Sequence, residues 1–299
     1  MCTYNGANYL GAQLASFEAQ TYKRWTLYVS DDASTDETRE ILSIYAERWG
    51  KDRLRVFEGP RRGFAENFLS LVKRDEVIGD LFAFSDQDDV WFENKLARSV
   101  TAISKFTKET PALYCSRTRL VDADMKFIGE SPLFQKPPSF RNALVQSLAG
   151  ANTMLINKAT RQLLAKVPDQ APLVAHDWLT YQLVTGCDGV VVYDSLPCLN
   201  YRQHDGNLIG ANSTFKARMM GLQRMFSGRF TQWNDANLMV LRQMTAYMAA
   251  ESCRTLESFD KARKGSLLGR LSFLYRSKVY RQTPQGNLSM LLATLLGRF

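Results

Sequence analysis

The sequence predicts an α/β fold built on a mostly parallel sheet, followed by a basic helical segment. Three observations predict it. Across the first two hundred residues or so, short apolar runs alternate with stretches of helical periodicity. Two of those runs end in clustered carboxylates just ahead of a helix, which puts acidic groups at the C-terminal ends of strands, where ligands sit in open α/β sheets. Beyond Asn212 the pattern turns helical throughout and strongly basic. The chain therefore divides into residues 1–212 and 213–299.

The elements follow in order. Met1 to Gly6 reads as the last residue or two of a strand and its turn, with no apolar run ahead of it. A strand lost from inside a sheet leaves ladder groups unpaired, so the expected start lies a few residues upstream, or the chain is truncated. Trp25 to Ser30 is the next strand, rich in aromatic and β-branched residues. Ser34 and Glu37 form a capping box that predicts a helix from there, continued by Ile41, Leu42, Tyr45, Ala46 and Trp49. Leu54 to Phe57 is a strand, Ala65 to Arg74 a helix, and Leu81 to Ser85 a buried strand. An antiparallel pair is expected between Tyr114 and Gly129, and a helix over Phe140 to Ala149. Thr153 to Ile156 reads as a strand, and a helix starts near Lys158. His176 to Trp178 opens another helix, and Val190–Tyr193 and Leu199–His204 are the last strands.

Composition narrows the function classes. The chain has 299 residues, with 45% apolar and 23% charged residues, an ordinary globular balance. Five cysteines without a C-x-x-C pair exclude a zinc ribbon or a disulfide scaffold and fit a reducing compartment, the cytoplasm. No signal-peptide pattern opens the chain, and no apolar run is long enough for a membrane span. The net charge of +8 is uneven: residues 213–299 hold 14 Lys or Arg against 4 Asp or Glu, and the rest hold 24 against 26. That basic segment is either a solvated helix face or an attachment to an anionic surface.

Asp-x-Asp occurs twice, as Asp86-Gln-Asp88 and Asp122-Ala-Asp124. The second copy sits in an expected hairpin turn, where Asp is favoured for turn chemistry. The first follows an apolar strand. Alternate residues there project to one side, so Asp86 and Asp88 can converge on Mg²⁺ or Mn²⁺ with bound phosphates. A solvated, helix-capping cluster is the competing reading. Asp31 and Asp32 end the neighbouring strand, where an acidic residue commonly binds ribose or a base edge. The only two histidines, His176 and His204, each precede an aspartate. Asp177 at a helix mouth could accept a proton, although on pattern alone the N-cap reading wins.

Seven blocks carry a resemblance: Thr3 to Gly6, Asp31 to Asp36, Arg62 to Phe64 with Asn67 and Phe68, Ser85 to Trp91 with Lys95 and Leu96, Gly150 to Thr153, His176 to Trp178, and Tyr201 to His204 with Asn207 and Gly210. Together they resemble the family 2 glycosyltransferases of GT-A fold, in the rhamnosyltransferase-like branch that builds bacterial surface polysaccharides such as O-antigen. The resemblance implies an inverting, metal-dependent enzyme. Thr3, Tyr4 and Asn5 would line the nucleotide pocket, with Asp32 and Asp31 on base or ribose. Asp86 would contact the donor, and Asp88 would hold Mg²⁺ or Mn²⁺ with Asp89 assisting. Asp177 would be the general base. Arg202 and His204 would approach the diphosphate and the metal. The implied donor is dTDP-L-rhamnose or a UDP-sugar, and the implied acceptor a glycan or lipid-linked oligosaccharide. The basic segment would rest on the inner face of the cell membrane through Arg218, Arg224 and Arg229 among Met219, Met220, Met225 and Phe226. Arg61 and Arg62 replace an Asn common in that branch, which loosens the donor assignment.

Two other classes fit these residues less well. A sugar nucleotidyltransferase needs a Gly-rich phosphate loop with a basic residue, and Thr3 to Leu10 has none. A degenerate scaffold or nucleic-acid binder would use the basic segment, but that segment lacks the aromatic interleaving of a dedicated nucleic-acid module, so no nucleic-acid partner is expected.

Overall fold

The computed structural model describes residues 1–204 and 229–298. The 212/213 division, Asn207, Gly210 and the Arg218–Phe226 stretch lie outside the described residues.

Strands β1 (Cys2–Thr3), β2 (Leu27–Asp31) and β3 (Leu54–Glu58) form one parallel ladder in the order β1-β2-β3. Between them run α1 (Ala7–Glu18) and α2 (Thr38–Trp49), and α3 (Phe64–Lys73) follows. A second ladder has the order β10-β6-β9-β4, from β4 (Leu81–Ala83), β6 (Ala112–Ser116), β9 (Leu155–Asn157) and β10 (Val190–Asp194). Here β10 and β6 are parallel, while β9 runs antiparallel to both β6 and β4. The sheet system is thus mixed rather than mostly parallel at this end. A third ladder joins β5 (Val90–Trp91), β11 (Leu199–Arg202), β7 (Arg119–Val121) and β8 (Phe127–Glu130).

Strand β6 shows why the sheet is covered on both faces. Its residues are all buried, and by the two-residue alternation of a strand Leu113 and Cys115 enter one core while Ala112 and Tyr114 enter the other. The first core takes Phe68, Leu179 and Tyr181, from α3 and from α7 (His176–Gly186). The other takes Leu10, Leu14 and Leu42 from α1 and α2. Helices α4 (Lys95–Ile103), α5 (Phe140–Ala143) and α6 (Lys158–Ala165) complete the layers.

The C-terminal helices α8 (Arg229–Gln243), α9 (Ala250–Lys264), α10 (Leu267–Ser277) and α11 (Pro284–Leu295) extend the first core through Leu241, Phe259, Phe273 and Met290. Side chains and backbone fasten them: Asn142 Nδ2 donates to the Tyr280 carbonyl at 2.9 Å, and the Ala249 amide to the Gly186 carbonyl at 2.9 Å.

Three local expectations are corrected. Helix α2 begins at Thr38, not at Ser34, because the Ser34 hydroxyl donates to Asp31 Oδ1 at 2.5 Å instead of capping. Helix α5 stops at Ala143 rather than Ala149. The Ala143 carbonyl accepts from Trp178 Nε1 and Gln182 Nε2 at 2.6 and 3.2 Å, which diverts it from the next helical turn. Of the residues expected to form an antiparallel pair, β7 and β8 do so, but Tyr114 belongs to β6 in the central ladder. The first strand is present as two residues, with the Met1 amino group donating to the Tyr28 carbonyl at 2.8 Å. Ahead of it, between β2 and β4, lies a cavity of about 890 Å³ lined by Met1, Leu27, Tyr28, Leu81 and Phe82 among others.

Candidate active site

The site forms where β1, β2 and β4 end. Asp31 is buried, and its carboxylate accepts from the Thr3 hydroxyl at 2.9 Å, from the Ser34 amide at 3.0 Å and from Arg39 Nε at 2.8 Å. Burial alone would raise its pKa; these donors outweigh it and hold the carboxyl below the ordinary range. Thr3 and Asp31 therefore face each other inside the protein and act as the frame of the turn. Asp32 reaches the other way. Its Oδ1 accepts from the Arg61 amide and its Oδ2 from the Gly63 amide, at 2.5 and 3.1 Å, so it curls the 59–63 loop over the strand end. Gly59 is required there, since a Cβ would meet Asp32 Oδ1 at 2.7 Å.

The neighbouring turn is tied to the first Asp-x-Asp. Gln87 accepts from the Tyr4 amide at 2.9 Å and donates to the Tyr4 carbonyl at 3.0 Å, pairing with that backbone as a strand would. A Cβ on Gly6 would collide with the Gln87 amide at 2.3 Å, which explains the glycine. Asn5 adopts a left-handed conformation, φ 46°, and its side-chain oxygen accepts from the Thr35 amide. Tyr4 is left 59% exposed, an aromatic ring held beside the acidic strand end.

The three carboxylates of the β4–β5 turn take separate directions. Asp89 is fully buried, accepting from Asn152 Nδ2 at 2.7 Å and from the Arg202 amide at 3.4 Å. The expected help from Asp89 in holding a cation is corrected accordingly: it points inward and anchors the turn. Asp88 Oδ2 lies 2.9 Å from His204 Nε2. Arg202 Nε donates to the Asp88 carbonyl at 3.0 Å, and its Nη1 donates to the Ala123 carbonyl at 2.6 Å, between the two aspartates of the second Asp-x-Asp. Its guanidinium also sits 4.5 Å from the Tyr9 ring centre, and Tyr9 packs on His204. Asp86 is pushed up to about 7, first by burial and then by the charges of Asp88 and Asp177. Asp88 of the same β4–β5 turn and Asp177 of α7 are thus near enough for their charges to act on Asp86.

Asp177 is partly buried in the first turn of α7. Burial raises its pKa to about 6, against the pull of amide donors from Trp178 and Ala151. It is thus ionised at neutral pH yet basic enough to take a proton. Its neighbour His176 has a different fate. It is buried, stacks on Phe68 with centroids 4.0 Å apart, and desolvation drops its pKa to about 3, so it stays neutral in the core.

No three His, Cys, Asp or Glu side chains converge as a ready cation cage among the described residues. Asp88 and His204 supply two donors in contact, beside an excess of negative charge that a cation would relieve. Mg²⁺ and Mn²⁺ commonly bind through one or two carboxylates and complete their shell with phosphate oxygens and water, so Asp88 fits such an ion, and the His204 imidazole beside it suits Mn²⁺ as a further ligand. Gln87 and Asn152 carry structural roles that the sequence pattern did not assign. The signal for Gln87 was an amide placed between two aspartates opposite a glycine turn.

Carboxylates gathered where β2 and β4 end, on an α/β frame, fit a glycosyltransferase of GT-A fold. The chain belongs to the family described as glycosyl transferase family 2, whose model matches residues 1–160. It is 27% identical over 240 residues to the dTDP-rhamnosyl transferase RfbG of Shigella flexneri, an alignment covering 75% of this chain and 79% of that one. It is 30% identical over 105 residues to an Escherichia coli protein, the UDP-Glc:alpha-D-GlcNAc-diphosphoundecaprenol beta-1,3-glucosyltransferase WfgD, covering 35% of this chain and 40% of that one. Among solved structures, S. aureus TarS 1-349 in complex with UDP-GlcNAc superposes with a TM-score of 0.55 at 15% identity, covering 99% of this chain and 87% of that chain. GalNAc-T7 with UDP, GalNAc and Mn²⁺ gives a TM-score of 0.54 at 11% identity, over 99% of this chain and 55% of that one. These two likenesses concern the fold.

Proposed function

We propose that this glycosyltransferase moves L-rhamnose from dTDP-L-rhamnose, with inversion, to a hydroxyl of a growing lipid-linked surface polysaccharide on the cytoplasmic side of the membrane. The observation that carries the chemistry is Asp177, a carboxylate held near pKa 6 at the mouth of α7, near enough for its charge to act on Asp86. Similarity to RfbG over three quarters of the chain supports the sugar.

In this reading Tyr4 stacks on the nucleotide base, and Asn5 and Asp32 shape the pocket around the ribose while Thr3 and Asp31 keep its wall in place. Asp86 receives sugar hydroxyls. Asp177 takes the proton from the acceptor hydroxyl as its oxygen attacks the anomeric carbon on the side opposite the diphosphate. One displacement inverts the centre, so a β-linked donor gives an α-rhamnoside. Asp88 and His204 would hold Mg²⁺ or Mn²⁺, which when bound neutralises charge on the leaving diphosphate. Arg202, fixed by Asp88 and Ala123, keeps the turn carrying Asp88 in register and adds positive potential beside it. The domain division near 212 remains part of this reading, with the helices of the second part buttressing the first.

A UDP-sugar donor is the second reading, favoured by the likeness to WfgD. A thermal-shift panel of dTDP, UDP, GDP and CDP, each with Mn²⁺ and with chelator, separates the two. A ligand at 100 times its dissociation constant stabilises by about 2.7 kcal/mol. The largest metal-dependent shift with dTDP supports rhamnose. A larger one with UDP overturns it.

A further inference from the structure

The C-terminal helical hairpin carries a surface that the transfer reaction does not use. On α11 and its C-cap, Leu288, Leu291, Leu292, Leu295 and Leu296 are all exposed, at 58%, 38%, 40%, 44% and 53%. Their spacing of three, four, seven and eight residues is that of an apolar helix stripe, which normally faces a core. Here the core side is already supplied by Met290, Ala293 and Thr294. On α10, Leu267 and Leu268 are likewise open to solvent, Leu268 by 78%. Gly297, just past α11, lies against the Arg270 guanidinium of α10, so the two helices run antiparallel. Leu267 and Leu268 therefore share one end of the hairpin with Leu295 and Leu296. Monomeric soluble proteins rarely leave so continuous an apolar surface uncovered.

Charge indicates what covers it. Arg263 and Lys264 of α9 are paired with Asp235 and Asp260, but the hairpin itself, from Leu267 to Phe299, has five Lys or Arg residues and no Asp or Glu. A second copy of this chain meeting the patch about a two-fold axis would set basic rim against basic rim with no acid to pair. An anionic bilayer answers both features at once, taking the leucines below its headgroups and the basic side chains among them. At about 1.5 Å per residue, helices of eleven and twelve residues are too short to cross a membrane. No helix among the described residues is long and apolar enough to cross one.

We infer that the α10–α11 hairpin is an interfacial anchor for anionic phospholipid, lying in the plane of the bilayer with its leucine stripe inserted. This gives the peripheral contact expected from the basic segment a place in the fold, and it does not depend on which sugar is transferred.

The test is flotation of the full chain with vesicles of phosphatidylcholine alone, and of phosphatidylcholine and phosphatidylglycerol in equal parts. Binding is expected with the anionic vesicles and weak with the neutral ones, falling as salt rises. The double variant Leu268→Ser/Leu295→Ser changes only exposed positions and should lower partitioning roughly a hundredfold, about tenfold per leucine. Arg276→Gln/Lys278→Gln, both at exposed positions of the hairpin, should lower it about fivefold per charge. Thermal unfolding and nucleotide binding should match the parent chain, showing that both variants fold. Undiminished vesicle binding by the leucine variant overturns the inference. So does equal binding to neutral vesicles, or a concentration-dependent dimer in sedimentation velocity that the leucine variant abolishes while no vesicle binds.

Discussion

The two Asp-x-Asp segments use the same letters for opposite ends. In the β7–β8 hairpin, Asp122 Oδ1 accepts from the Asp124 and Lys126 amides at 3.0 and 2.9 Å, a side chain closing its own turn, and Asp124 is exposed. In the β4–β5 turn, the backbone is held by others: Gln87 on Tyr4, Asp89 on Asn152, Arg202 on the Asp88 carbonyl. Asp86 and Asp88 are therefore released from turn duty, and burial together with the charges of Asp88 and Asp177 makes Asp86 demand a counter-charge. A motif becomes a site when neighbouring residues take over its structural work. Arg202 joins the two segments, touching Asp88 with one nitrogen and Ala123 with another.

Substitutions can sharpen that contrast. Asp177→Asn should have the largest effect, lowering kcat by about a thousandfold while leaving nucleotide-induced thermal shifts intact. For the parent enzyme, protonation of Asp177 would remove the proposed base. Below pH about 6 kcat/KM should therefore fall about tenfold per unit, and it should level off above about 7, as a pH–rate profile would show. Asp88→Ala should lower kcat by roughly a hundredfold and abolish the chelator-sensitive part of the nucleotide thermal shift. If that part survives, the cation lies elsewhere. Arg202→Met should weaken metal-dependent nucleotide binding by about tenfold, the usual scale for a group that orients a ligand. Asp122→Ala should do least to activity, within about twofold. It should cost about 1 kcal/mol in a denaturant titration, since two amide partners are lost from a surface turn.

Much of this contrast is legible in the sequence. Apolar runs ending in Asp31 and Asp86, the helix start at His176, and the hairpin at Asp122 all follow from local pattern. What local pattern missed depends on partners far away in sequence. Ser34 reads as a cap, but Asp31 and Asn5 compete for it, and Asn5 is 29 residues distant. Asp89 reads as one more acidic ligand until Asn152 and Arg202, 63 and 113 residues on, turn it inward. The Phe140 helix looks ten residues long because nothing nearby announces that Trp178 will claim the Ala143 carbonyl. Turn and helix propensities amount to tenths of a kcal/mol per residue, so a single buried hydrogen bond of about 1 kcal/mol suffices to redirect them.

Helix α7 has a mechanical meaning beyond its caps. Its eleven residues form a rod about 16 Å long. The proposed base stands at one end, and at the other the Gly186 carbonyl grips the amide just before α9. From there α9 packs on α10, and Phe259 and Phe273 lie 5.7 Å apart between ring centres. Base, rod, α9 and leucine hairpin make one packed train from the proposed base to the surface proposed to meet lipid. Seating the hairpin on a bilayer would therefore also set the height and tilt at which Asp177 meets a hydroxyl presented by a membrane-bound acceptor.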